Sequence, residues 1–132
     1  MLVSECTLIR PVSCRQDEDI AEVASKLRDN KQRRIIVVDN NESPIGIIST
    51  TDINNKVVAE NKDPKNLKAE DIMTSPIYLV CDINDGLDMI FRKMVEHESF
   101  FCPVTDNQKL YGILTYGELV NKIHEKVRNE SK

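Results

Sequence analysis

Apolar positions change their period along this chain in an order that then recurs. Residues Leu2 to Cys14 hold short apolar pieces broken by Pro11, which predicts an entry segment and one strand. With Asp17 read as the N-cap, Ile20, Val23, Ala24 and Leu27 fall at i, i+3, i+4 and i+7, the stripe of an amphipathic helix with acids at its start. Ile35-Ile36-Val37-Val38 is a β-branched run too short for a helix. Turn residues Asn40 to Pro44 follow it, so Ile45 to Ser49 should pair with it as a hairpin. Helix resumes after Thr51 and runs to the region of Glu60.

The polar stretch Asn61 to Asn66 reads as a linker, dividing the chain into repeats 1–66 and 67–132. Beyond it come a turn at Asp71 to Thr74, a strand at Ile77 to Val80, and a helix from Asn84 to Glu96. Strands at Phe101 to Thr105 and Leu110 to Thr115 and a last helix from Gly117 to Arg128 complete the half. Leu87, Ile90, Phe91 and Met94 repeat the first stripe at an offset of sixty-seven (87 minus 20), and Asp106 repeats Asp39. One residue is lost in the second hairpin turn. The register predicts an α+β fold of two pseudo-twofold-related β-α-β-β-α repeats packed sheet to sheet, because each small sheet leaves a face that must be covered.

Composition bounds what such a chain does. With 132 residues and 40% hydrophobic content it can bury one core, whereas lobes of about 60 residues are marginal alone. The net charge is −4 and the cations are scattered among acids, which argues against nucleic acid as the main partner. No apolar run approaches the roughly 20 residues that span a bilayer, and Met1 to Ile9 lacks a basic region followed by an apolar one. The expectation is a soluble cytoplasmic protein with no membrane partner. Cys6, Cys14, Cys81 and Cys102 form no C-x-x-C pair, and the only histidines are His97 and His124, so no metal site is expected. The thiols read as reduced, buried small hydrophobes.

Three features resemble the CBS domain family: Asp71-Ile72-Met73-Thr74-Ser75-Pro76, Arg34-Ile35-Ile36-Val37-Val38-Asp39, and Gly46-Ile47-Ile48-Ser49-Thr50-Thr51-Asp52. The last is similar to the family's glycine, two apolar residues, Ser or Thr, two variable positions and Asp. Gly112 to Glu118 repeats it sixty-six positions on (112 minus 46), so the chain resembles a tandem CBS pair, or Bateman module. The resemblance implies sensing of an adenosine-containing ligand, such as AMP, ADP, ATP or S-adenosylmethionine, in a cleft between the repeats. It also implies a homodimer and a regulated partner protein of unknown identity. No catalytic domain is attached and no cofactor is required on this reading.

The chemistry of the motif fits that expectation. A strand ending at Ser49 and feeding a helix near Thr51 directs amide N–H groups and hydroxyls outward, which suits phosphate oxygens. Asp52 can accept hydrogen bonds from both hydroxyls of a ribose, Arg34 would face the phosphates, and Ile47 would pack on the base. Taken alone, Ser49 three residues before Asp52 also reads as a helix N-cap. The second copy has Thr115 and Glu118, a capping-box pair, and Phe101 stands in the place of Arg34. The expected outcome is a principal site at Asp52 and a weaker one at Glu118. The runner-up is a ligand-independent dimerising scaffold; an enzyme is disfavoured for want of a nucleophile and base pair or a Walker-type loop.

Overall fold

The computed structural model describes residues 1–130; the last two residues of the expected second repeat, 131 and 132, lie outside the described residues. The chain forms two compact units. A middle unit is Pro11–Ile77, and a split unit joins Met1–Arg10 to the chain from Tyr78 onward.

In the middle unit β1 (Ser13–Arg15) runs parallel to β2 (Arg34–Val38), which pairs antiparallel with β3 (Pro44–Ser49). Helix α1 (Ile20–Asp29) lies over one face of this sheet, where Ile20, Val23 and Leu27 are buried with Cys14, Ile35, Val37 and Ile48. Its N-cap is Asp19, not the expected Asp17. Asp19 directly precedes the first buried stripe residue, and its carboxylate accepts the Glu22 N–H at 2.9 Å. The helix closes with the Gln32 N–H donating to the Leu27 carbonyl at 2.9 Å and Lys31 in the left-handed region, φ 54°. Helix α2 (Thr50–Ile53) continues into a π-helical turn, Asn54–Val58, whose Val57 is buried. Helix α3 (Ala69–Ile72) ends the unit's core with Ala69 and Ile72.

The split unit repeats the plan with β4 (Cys81–Asp82), α4 (Leu87–Glu96), β5 (Phe101–Asp106), β6 (Lys109–Thr115) and α5 (Tyr116–Glu130). Cys81 faces Val104 as Cys14 faces Val37, and both hairpins shift register at the matching step, Val37/Val38 and Val104/Thr105. The strand expected at Ile77 to Val80 is instead the two residues Cys81 and Asp82. Only these two are ladder partners of β5, where Ile83 N–H adds one bond to the Thr105 carbonyl at 3.0 Å, and Tyr78 and Val80 are exposed. Helix α4 starts at Leu87, later than expected, because the Asp82 and Asp85 carboxylates hold 82–85 as a turn by accepting the Asn84 and Asp82 N–H groups at 2.9 and 2.8 Å.

The spatial units do not divide where the linker does. Ile47 and Thr74 exchange backbone hydrogen bonds of 3.0 and 2.9 Å, so the segment expected to open the second repeat packs on the first repeat's motif strand. In the same way Ile9 and Ile113 exchange bonds of 2.9 Å, which places the start of the chain on β6. The two glycines explain these approaches. A Cβ on Gly46 would lie 2.5 Å from the Met73 sulfur, and one on Gly112 would lie 3.0 Å from Leu8 Cβ.

All four cysteines are reduced; Cys14, Cys81 and Cys102 are buried and Cys6 is half-buried. Burial pushes the Cys14 thiol up to about 12. Among the described residues no helix is long and apolar enough to cross a membrane, and no cluster of potential ligands could hold a metal ion.

Candidate functional site

Register assembles the site residues of the middle unit. Arg34 lies opposite Ser49, and Ile36 opposite Ile47, so alternation puts Arg34, Ile47 and Ser49 on one face at the end of the β2–β3 pair. Ile47 and Ser49 are half-buried and Arg34 is exposed. The chain then turns into α2, where Thr51 is exposed and Asp52 half-buried. All five predicted residues of the principal site therefore occupy one strand end and the turn after it.

The polar groups of that turn are already engaged with one another. Ser49 N–H donates to Asp52 Oδ2 at 2.8 Å, the Ser49 hydroxyl lies 3.0 Å from the same oxygen, and Asp52 N–H donates to Ser49 Oγ at 3.1 Å. This is a complete capping box. Thr50 N–H donates to the Arg33 carbonyl at 3.0 Å. The amides of Ser49, Thr50 and Asp52, expected to face outward for a phosphate, are thus satisfied within the chain. A helix of four residues needs this closure to hold its first turn.

Lys56, which the sequence reading did not single out, lies 3.3 Å from Asp52 Oδ1 and donates to the Ile72 carbonyl at 2.9 Å. Its signal was the i, i+4 spacing from Asp52. Burial alone would raise the Asp52 pKa, but the Ser49 backbone N–H, the Ser49 hydroxyl and the Lys56 ammonium outweigh it and hold the carboxyl below its ordinary value. Asp52 is an anion at neutral pH with one oxygen committed to Ser49 and the other facing a half-exposed lysine.

The second motif keeps half of this arrangement. Glu118 N–H donates to Thr115 Oγ1 at 3.2 Å, but the Glu118 carboxylate does not return to the Thr115 amide. Its Oε2 accepts the Thr7 N–H at 2.6 Å instead, so the expected capping box is left open. The longer side chain reaches past the turn to the segment lying on β6. Phe101 is confirmed opposite Thr115, where the middle unit has Arg34 opposite Ser49. Nothing local in the sequence announces Thr7 as the partner of Glu118, because 111 positions separate them.

The chain belongs to the CBS domain family, whose model matches it twice in tandem, at residues 3–59 and 69–125. It is 31% identical to protein MK0525 of Methanopyrus kandleri over 78% of this chain and 53% of that one. The fold resembles a CBS domain protein from Pyrobaculum aerophilum solved with AMP, at 26% identity and a TM-score of 0.71, covering 89% of each chain. It also resembles the CBS domain pair of protein MJ0100, solved with 5′-methylthioadenosine and S-adenosyl-L-methionine. There the identity is 25% and the TM-score 0.70, over 96% of this chain and 98% of that one. The chain spans about half the length of the M. kandleri relative and about a fifth of a homoserine O-acetyltransferase from Methanosphaera stadtmanae that it also matches.

Proposed function

We propose that this CBS pair is a cytoplasmic regulatory module that binds an adenosine-containing ligand, AMP, ADP, ATP or S-adenosylmethionine, and as a homodimer modulates a partner protein without catalysing a reaction. The observation that carries the proposal is the ionised Asp52 standing beside Arg34, Ile47, Ser49 and Thr51 at one strand end. The neighbours solved with AMP and with adenosyl ligands support the ligand class. Asp52 meets the ribose diol through the oxygen that faces Lys56, while Ser49 fixes the carboxylate and Thr51 supplies an exposed hydroxyl. Arg34 takes the phosphate charge and Ile47 lies against the base. Thr115 and Glu118 form a weaker second site, since Glu118 is committed to Thr7 and Phe101 replaces the arginine.

One observation favours a second reading, a ligand-independent scaffold: the capping box and Lys56 give Asp52 a structural role with no ligand present. Thermal unfolding with the four ligands separates the two. Ligand at a hundredfold excess over Kd should stabilise the wild type by about 2.7 kcal/mol. Asp52→Asn, which keeps an acceptor for Ser49, should remain folded and lose that response. Arg34→Ala should lose it for the phosphate-bearing ligands first. A wild type whose Tm none of the four moves is a scaffold.

A further inference from the structure

Both motifs carry a lysine four residues after their acid, Lys56 after Asp52 and Lys122 after Glu118. The two lysines go to different partners. Lys122 lies 3.5 Å from Glu125 Oε2, one turn further along α5, whereas Lys56 lies 3.3 Å from Asp52 Oδ1. The sequence supplies the reason: Ala59 takes the place of Glu125 in the middle unit (125 minus 66), so the acid one turn back is the one that Lys56 meets. Lys56 is held at a second point as well, donating at 2.9 Å to the carbonyl of Ile72, the last residue of α3. An ammonium has three donors, and with these two acceptors placed the Lys56 side chain is still 43% exposed.

The charge of each motif follows from these pairings. In the middle unit Arg34 and Lys56 stand against Asp52, two cations to one anion. In the split unit Lys122 stands against Glu118 and Glu125, one cation to two anions, and Phe101 takes the place of Arg34. Arg34 by itself would leave the Asp52 motif neutral; Lys56 makes it cationic. Its two tethers fix that charge beside the carboxylate oxygen assigned to the ribose. The ligands in question differ most in charge on the 5′ side of that ribose, where AMP, ADP and ATP carry phosphate anions and S-adenosylmethionine carries a sulfonium cation. An uncompensated carboxylate attracts the sulfonium and repels the phosphate, and one neutralised by an ammonium does neither.

We propose that Lys56 is the specificity-determining residue of the middle unit's motif: by neutralising Asp52 it makes the motif select phosphate-bearing adenosine ligands over S-adenosylmethionine. The inference rests on the reading of Asp52 as an adenosine site and deepens it, choosing between ligand classes and naming the side chain that chooses. Specificity here is a difference of two affinities, and Lys56 acts on both terms, adding attraction for the anion and removing attraction for the cation. Because the effect is carried by charge on a half-exposed side chain, salt should weaken it.

Isothermal titration calorimetry of the full chain with AMP and, separately, with S-adenosylmethionine tests it, with thermal melts checking that each variant is folded. The wild type should bind AMP the more tightly. Lys56→Met keeps most of the apolar stem and removes the charge, so it should weaken AMP, spare or tighten S-adenosylmethionine, and lower the preference for AMP at least about tenfold. Lys56→Arg should retain most of the preference, and raised salt should narrow it more in the wild type than in Lys56→Met. A lysine that only ties α2 to α3 would, when replaced, change both affinities in the same proportion. An unchanged preference in Lys56→Met, or a wild type that favours S-adenosylmethionine, overturns the inference and leaves the adenosine reading standing. AMP binding unaltered by Asp52→Asn lies at another site and overturns the inference too. A wild type that binds none of AMP, ADP, ATP and S-adenosylmethionine overturns the adenosine reading and this inference together.

Discussion

Asp52 and Glu118 stand at matching ends of matching strands, yet their carboxylates have different partners. Asp52 closes a ring with the residue that starts its own helix and adds Lys56. Glu118, one methylene longer, leaves its helix start half capped and fastens Thr7, from the first residues of the chain, onto the split unit. The shorter acid is held locally, in a geometry that sequence neighbours set. The longer one acts as a tertiary staple. A repeat can therefore keep its backbone to the level of a shared bulge while one side-chain length decides whether its acid belongs to a turn or to a distant segment.

The frame that the two motifs share is the place for the largest expected effects. Ile48 and Leu114 are equivalent and both fully buried, so Ile48→Ala and Leu114→Ala should each cost about 2–5 kcal/mol in urea denaturation. Losses of similar size would mark the cores as equal partners; a loss confined to one would break the equivalence. Next come the acids themselves. Asp52→Ala leaves the half-buried Ser49 amide without its acceptor and should cost about 1–2 kcal/mol. Glu118→Ala frees an exposed Thr7 amide to bond with water and should cost less than about 1 kcal/mol by the same assay. Equal losses would erase the distinction between turn and staple.

The smallest effect concerns Lys56. The pair with Asp52 is partly exposed, so Lys56→Ala should cost less than about 1 kcal/mol at neutral pH. Its signature lies in the acid limb. The folded Asp52 pKa is depressed, so its stabilising contribution is present above the unfolded carboxylate pKa and is lost as pH falls through the folded value. Without Lys56 the folded pKa rises toward the ordinary range. The acid-dependent loss of stability should then be smaller in Lys56→Ala than in the wild type, and unchanged acid titration curves would show that Ser49 alone holds Asp52.

Periodicity made most of the frame legible, because helical stripes and β-branched runs report burial directly. Ile20, Val23 and Leu27, and their counterparts Leu87, Ile90 and Met94, are the buried residues of α1 and α4 as expected. The starts of α1 and α4 differ from the pattern where a carboxylate overrides it, at Asp19 and in the turn through Asp82 and Asp85. Of the candidate site, the cross-strand neighbours Arg34, Ile47 and Ser49 followed from a correct hairpin register. Lys56 is legible only in its i, i+4 spacing from Asp52.

What the sequence determined by itself was local and repetitive: two β-α-β-β-α runs in the same order with one residue lost in the second hairpin turn, their membership of the CBS family, and the N-cap at Ser49. These depend on residues within a few positions of one another, or on a pattern that states itself twice. Only the tertiary structure decided which short segment lies on which motif strand, that Met73 fills the space beside Gly46 and Leu8 that beside Gly112, and that Glu118 belongs to Thr7. Such pairings close long loops. Their free energy comes from backbone hydrogen bonds and close packing between residues whose separation along the chain carries no record of the contact.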